Sequence, residues 1–397
     1  MGSSKHNELP SGWEIKKLDE VSFIDMGQSP DSEFYNEEEI GLPLIQGNAD
    51  MKNGRSIKRY FTSQITKKCN KGDFILSVRA PVGKIGIASF ESCLGRGVCS
   101  IRSKSEDSNF LFQLLLSLEN KWEKLEQGST FSAISGSDIK NFKILLPPLP
   151  EQRAIANILS TWDTAIQTTQ DLISQKEAEK KWLMQNLLTG KKRLKGFENT
   201  NWKNQPLENF ITPISREIPK PNKSYLGIGL RSHGKGTFLK PDEQPEKNVM
   251  DKFYIVREND LIVNITFAWE QAIAIVKKED DGALASHRFP TYTFKEGKGN
   301  ANFFKFLILL RKMKFMLEMI SPGGAGRNRV MSKSDFLKLE FPIPQFEEQT
   351  AISQVLQMAD KELNLLKTKL AQQKLQKKGL MQVLLTGKVR IKIENLT

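Results

Sequence analysis

The stretch "MQNLLTGKKR" occupies Met184–Arg193, and "MQVLLTGKVR" occupies Met381–Arg390, 197 residues further along a chain of 397. Internal repetition is the first property to test in a sequence of this length, because it decides the architecture before any single element is assigned. Sliding the chain by 197 residues aligns Glu151–Lys191 with Glu348–Lys388 without a gap, and seventeen of the 41 positions are identical. Upstream, "ISGSD" at Ile134–Asp138 faces "MSKSD" at Met331–Asp335, and both lead through a short apolar run into prolines, "FKILLPPLPEQ" and "LKLEFPIPQFEEQ". The first halves match more weakly: Trp13 and Leu18 face Trp202 and Leu207, and "GDFILSV" at Gly72 faces "NDLIVNI" at Asn259. The chain is a duplication whose second copy has gained loop residues.

Each copy has a mixed part and a helical part. "FILSV", "IGIAS", "DLIVNI" and "AIAIV" are short β-branched runs bounded by Gly, Pro or Asp, which predicts strands. One helix is expected in each mixed part, "FLFQLLLSLENKWEKLEQ" from Phe110 and "FFKFLILLRKMKFMLEMI" from Phe303. After the prolines a long helix opens with acids in its first turn, Glu151 or Glu347 and Glu348, where the helix dipole favours them. Apolar residues then recur at heptad spacing. Ile155, Trp162 and Leu183 fall on one set with Leu159, Ile166, Ile173 and Leu187 on the other; Ile352, Leu366 and Leu380 accompany Leu356, Leu363, Leu370 and Leu384. This period predicts a coiled coil between the two helices, and a pseudo-two-fold axis relating the copies would make it antiparallel. Lys176, Lys180, Gln373 and Lys377 interrupt the seam, where packing should thin. The expected fold class is α+β, with two pseudo-symmetric mixed domains (1–150 and 195–347) and two spacer helices (151–194 and 348–397). A helix of about 37 residues is roughly 55 Å long, enough to hold two readers a DNA turn apart. The cations after each "LLTG" (Lys191, Lys192, Arg193; Lys388, Arg390) suit a helix C-terminus or a phosphate equally.

Lysine and arginine outnumber aspartate and glutamate by 59 to 46, a net charge of +13. That surplus serves solubility or favours a polyanionic partner. Three scattered cysteines and three scattered histidines suggest neither a disulfide framework nor a metal site, and no cofactor motif occurs. No apolar run approaches a membrane span, and His6 stands where myristoylation needs Ser or Thr, so a cytoplasmic setting is expected. There is no phosphate-binding G-x-x-x-x-G-K-[ST] loop, no dinucleotide-type turn and no N-P-P-Y-like tetrapeptide. The acid clusters "PDSEFYNEEE" and "KPDEQPEK" lack the acid-x-Lys phase of a metal nuclease. No catalytic residues are assigned, which points to a binder rather than an enzyme.

Candidate DNA contacts are basic and amide side chains beside glycine, because Arg and Lys suit guanine or phosphate and Asn suits adenine. In the first copy these are Asn53, Arg55, Lys58, Arg59, Arg79, Lys84 and Arg96; in the second, Arg231, His233, Lys235, Arg288 beside His287, Arg327, Asn328 and Arg329.

The paired "LPPLPEQRAIANIL" and "PIPQFEEQTAISQVL", the paired "LLTGK" endings, "GDFILSVRAPVGKIGIA" and the tryptophan-led "GWEIKKL" and "NWKNQPL" together resemble the DNA-specificity subunit of type I restriction–modification systems. The resemblance covers nearly the whole chain. It implies that each mixed unit reads one half of a split double-stranded DNA target and that the helices fix the gap. It further implies docking of two methyltransferase subunits and, through them, motor-nuclease subunits, which would carry the methylation and ATP-driven cleavage. Thr266 and Phe267 stand where the first copy has Arg79 and Ala80, so no role of Arg79 transfers to the second unit. A stand-alone DNA-binding regulator, a helical scaffold with incidental basicity and an enzyme with an unfamiliar site remain alternatives from residues alone.

Overall fold

The computed structural model describes residues 9–122, 133–324 and 329–392. The chain forms two compact units, Met1–Gln170 with Thr368–Thr397, and Asp171–Lys367. Each unit therefore takes part of both long helices, which run Leu149–Leu187 and Phe346–Leu384, 39 residues each.

In the first unit the strand Phe74–Ser77, buried at all four positions, lies between Ile85–Ile87 and Val98–Ser103 in a six-stranded sheet. A run of apolar residues fits this place because both sheet faces are covered. A second, five-stranded sheet contains Leu42–Ile45 paired parallel with Ser92–Leu94. Glu14–Lys17 pairs antiparallel with Lys143–Leu146, which sets Trp13 beside the start of the first long helix. The second unit repeats the plan. Leu261–Val263 sits between Ile273–Ile275 and Thr291–Phe294 in a four-stranded sheet, and Tyr225–Leu230 pairs parallel with Leu284–Ala285 in a five-stranded one. The expected strands are all present.

The expected helix from Phe303 is broken. It forms Ala301–Leu307 and Arg311–Met319, with Leu310 extended at φ −65°, ψ 144° as the N-cap of the second piece. A break leaves carbonyls without helical partners. Here the Gln271 amide donates to Ile308 O at 2.7 Å and Leu310 O at 3.5 Å, so the interruption is satisfied from another loop. The helix expected from Phe110 spans Ser108–Ser117, capped by the Asp107 carboxylate, which accepts from Phe110 N at 2.9 Å. Helical residues resume at 119–122 after a turn at Leu118, and the rest of the expected helix, 123–127, lies outside the described residues.

The helix pair is antiparallel within each unit. In the first, Ile155 and Leu159 share a core with Leu384 and Leu385, and Asp163 meets Lys377 at 2.6 Å. In the second, Leu187 and Leu188 share a core with Ile352 and Leu356, and Lys180 meets Asp360. Residue numbers fall on one helix as they rise on the other. The lysines that interrupt the seam thus carry cross-helix ion pairs rather than thinning it: Lys176 adds Glu362 at 3.2 Å, and Lys377 is itself buried. Asp163 and Asp360 occupy matching positions of the repeat, as do Lys180 and Lys377, so the same pair forms in both units. Gln373 keeps a buried side-chain oxygen without a partner among the described residues.

Each long helix ends at a glycine with left-handed φ, Gly190 (+70°) and Gly387 (+69°). A side chain at either would be strained, and at Gly387 it would also strike Pro10 at 2.5 Å. The turn sends the next arginine back to the first turn of the other helix. Arg193 Nε and Nη2 donate to Glu348 at 2.7 and 2.6 Å, while Trp202 Nε1 donates to the same carboxylate at 3.0 Å. Arg390 Nε and Nη2 donate to Glu151 at 2.7 and 2.8 Å, joined by Trp13 Nε1 at 3.1 Å. The cations after "LLTG" therefore include a clasp arginine in each copy. The adjacent glutamines bind the globular part. Gln152 Nε2 donates to Pro147 O and its Oε1 accepts from Asp107 N, while Gln349 makes the matching bonds to Pro344 O and Asn300 N.

Removing one partner of a buried ion pair strands the other, which typically costs about 3–5 kcal/mol. Glu348 is 1% exposed and Arg193 15%, so Glu348→Ala is expected to destabilise the second unit by about 3 kcal/mol, read by urea unfolding. Burial opposes ionisation of Glu151, but the bonds from Arg390 and Trp13 and the charge of Arg390 prevail and hold it below its ordinary value of 4.5. A depressed carboxylate stabilises fully above that value and loses the effect as pH falls through the lower folded value. The stability gap between wild type and Glu151→Gln should be full at about pH 7 and narrow as pH falls below 4.5.

Candidate nucleic-acid interface

Three loops converge in each unit. In the first they follow Leu42–Ile45 (residues 46–50), follow Phe74–Ser77 (78–82), and join Ser92–Leu94 to Val98–Ser103 (95–97). Gly95 N donates to Ile45 O at 2.8 Å and Val78 N to Gly97 O at 2.9 Å, which laces the three together. Gly97 is required by proximity: a Cβ there would lie 2.1 Å from Gln46 O. The loops, with residues 29–35, line a polar hollow of about 590 Å³ bordered by Gln46, Asn48, Arg79, Arg96, Asp31 and Tyr35. Arg79 and Arg96 are exposed and make no ion pair among the described residues.

The 46–50 loop is held from below. The buried Asp50 carboxylate accepts from Gln46 N at 2.8 Å and Gly47 N at 3.2 Å, and Arg59 Nη1 reaches its other oxygen at 3.2 Å. Arg59 therefore braces the loop. Lys84 is engaged by Glu119 at 3.3 Å, and Lys58 lies 3.9 Å from Glu39 with Phe61 and Phe90 beneath it. Asn53 and Gly54, both at positive φ (52° and 70°), form the tight turn between Met51–Lys52 and Arg55–Ser56, a geometry that suits the Asn-Gly pair. Arg55 projects from that hairpin and is exposed.

In the second unit the corresponding loops are 231–236, 264–270 and 286–290. His233 N donates to Glu270 O at 2.7 Å, Gly234 N to Gln271 O at 2.9 Å, and Arg288 Nη1 to Thr266 Oγ1 at 3.0 Å. Thr266 matches Arg79 in the repeat, so an arginine reaches this place from a different loop. Arg231 stacks on Phe238 at 5.3 Å and donates to Thr237 O, while exposed Lys235 and His233, the latter at φ 62°, sit at the loop tip. His287 borders a neighbouring pocket with Tyr254 and Tyr292. Arg329 is a brace: Nε donates to Ser321 O at 3.1 Å and the guanidinium lies 5.0 Å from the Trp269 ring. Arg327 and Asn328 lie outside the described residues. The structure thus brings Arg79 with Arg96, and Arg231 and His233 with the loop that holds Arg288. It adds Gln46 and Asn48, whose sequence signal was an amide next to Gly47 just after a strand, and Asp31, which carried no such signal.

A different face also repeats. Lys378, Met381, Gln382, Thr386 and Lys388 line a groove of about 940 Å³ against Leu114 and Leu118 in the first unit. Lys181, Met184, Gln185, Thr189 and Lys191 line one of about 850 Å³ against Leu309 and Leu310 in the second. These are identical residues at matched positions of the repeat. The exposed half of "MQ-LLTGK" builds a groove while its leucines enter the core.

The sequence model of the type I restriction modification DNA specificity domain matches residues 10–178 and 199–374. The chain belongs to that family. It is 41% identical over 196 residues to the type I restriction enzyme MjaX specificity subunit of Methanocaldococcus jannaschii, covering 48% of this chain and 46% of that protein. The MjaVIII specificity subunit of the same organism is 25% identical over 412 aligned positions, 97% of this chain and 94% of that protein. The chain thus spans about half the length of the first relative and nearly all of the second. The crystal structure of a type-I restriction-modification system S subunit from M. genitalium superposes with a TM-score of 0.58 at 16% identity, covering 99% of each chain, a likeness of fold. Among the described residues no helix is long and apolar enough to cross a membrane.

Asp50→Ala releases two backbone donors and leaves Arg59 unpaired. A loss of about 1–3 kcal/mol from the first unit is expected by thermal unfolding, without change in the second.

Proposed function

We propose that the protein is the specificity subunit of a type I restriction–modification complex, with each unit reading one half of an asymmetric, bipartite double-stranded DNA target. The observation that carries this reading is the loop cluster: the same three loops converge in both units but hold different side chains. A duplicated frame with divergent readers gives two dissimilar half-sites at a set separation. Exposed Arg55, Arg79, Arg96, Arg231, His233, Lys235 and Arg288 are the proposed contacts, whereas Arg59, Lys84 and Arg329 act through the braces described above. The cationic surplus supplies phosphate affinity, which should fall steeply with salt.

The helix pair serves as the spacer. The duplicated grooves, with matched lysines, methionines and glutamines, serve as docking sites for two methyltransferase subunits, through which the motor-nuclease subunits join. Exposed Trp182, Met358 and Leu365 on the helices fit a surface covered by partners. Adenine methylation and ATP-driven cleavage belong to those subunits, and the setting is cytoplasmic.

Exchanging residues 1–145 for the corresponding segment of another family member should change one half of the methylated sequence and leave the other intact, as read by sequencing modified DNA. Inserting four residues into each long helix lengthens it by about 6 Å and should widen the unspecified gap by nearly two base pairs. Lys378→Glu with Gln382→Glu, both exposed, should leave one bound methyltransferase per chain instead of two, counted by native mass spectrometry.

A further inference from the structure

We infer that the hollow of the first unit is a base-reading pocket for purines, in which Arg79 and Arg96 take guanine edges and Gln46 takes an adenine edge. This rests on the DNA-reading function proposed above and assigns it to three specificity-determining side chains, two of them arginines that a surface survey would score with the rest.

Chemistry separates these arginines from the other cations of the unit. Arg59 and Lys84 are spent on Asp50 and Glu119, so their charge is neutralised at close range. Arg79 and Arg96 have no such partner among the described residues. They line a concavity with Gln46 and Asn48, whose side-chain amides also make no hydrogen bond among the described residues. An amide offers a donor and an acceptor side by side, which matches adenine N6 and N7, while a guanidinium fork matches guanine O6 and N7. Asp31 borders the same hollow. A carboxylate would repel a phosphate there but can accept from cytosine N4 on the opposite strand.

The frame is rigid where reading needs it to be. Asp50 fixes the backbone at Gln46 and Gly47, and Ser29 Oγ accepts from Arg96 N at 3.2 Å. Arg79 is tied by a β-bridge to Ala133, and the close approach of Gly97 to Gln46 O sets Arg96 beside the amide. Lys52 and Arg55, exposed on the hairpin at the sheet edge, are the contrasting case: they project into solvent and suit phosphate.

The test uses the full chain co-expressed with its methyltransferase subunits and a randomised duplex library, scoring base preference at each position and the dependence of affinity on salt. Arg96→Ala, Arg96→Lys, Arg79→Ala, Gln46→Ala and Arg55→Ala are compared with wild type, with melting temperature as the folding control. Arg96→Ala and Arg79→Ala should each relax preference for guanine by roughly tenfold at defined positions of one half-site. Gln46→Ala should do so for adenine, and the other half-site should stay unchanged. Arg96→Lys keeps the charge but loses the fork, so it should relax preference like Arg96→Ala while leaving the salt slope intact. Arg55→Ala should weaken all sequences alike and flatten the salt slope by about one unit. If the Arg79 and Arg96 variants behave like Arg55→Ala, they touch phosphate and the inference is overturned. It is equally overturned if preference survives all three pocket substitutions in folded protein. A wild-type complex without base preference would instead remove the function on which the inference stands.

Discussion

Two buried carboxylates, Glu151 and Glu348, each receive a two-pronged arginine from the far end of the other long helix and an indole N–H from the start of their own repeat. A carboxylate at 1% exposure is tolerable because three charge-assisted or indole donors satisfy it. Everything else in each unit follows from this clasp. It fixes where one helix begins and the other ends, and it brings the C-terminal leucines of one onto the N-terminal apolar residues of the other. The neighbouring glutamine then bolts the helix start to the cap of the globular part. Leu384, Leu385 and Ile391 thereby complete the core of the first unit, and Leu187 and Leu188 complete that of the second.

Because the clasp is duplicated residue for residue, so is the register of the helices. Asp163 with Lys377 and Lys180 with Asp360 are the same pair at matched places, and they lie where a purely apolar seam would tolerate slippage. Such pairs contribute less to stability than to specifying one alignment. The clasp and the cross-helix ion pairs are kept between the two copies, while the sheets, the helix broken at Leu310 and the loops differ. Arg288 reaching Thr266 shows the consequence: an arginine can be delivered to one place from either of two loops, so the copies need not read alike.

The scaffold was legible in the sequence because periodic burial writes itself into residue type. The 197-residue repeat, the heptad seam through Leu159 and Leu356, and the runs "FILSV" and "DLIVNI" all reappear as the elements they suggested. What escaped were interactions between residues far apart in the chain that leave no periodic trace. The break at Leu310 depends on an amide 39 residues earlier, and the use of Arg193 depends on a glutamate 155 residues later. The same holds for the interface. Arginines beside glycine pick out exposed cations and braces without distinction, since Arg59 and Arg96 differ in what lies near them, not in how they are spelled. Gln46 and Asn48 became visible once three loops were seen to share one hollow.

The central proposal is that the two units read duplex DNA through dissimilar loop clusters. Hydroxyl-radical footprinting of the complex on its target tests it most directly. Two protected stretches of different sequence, separated by an unprotected gap of constant length across all bound sites, are predicted. A single continuous footprint, two identical stretches, or a gap that varies from site to site would contradict the account.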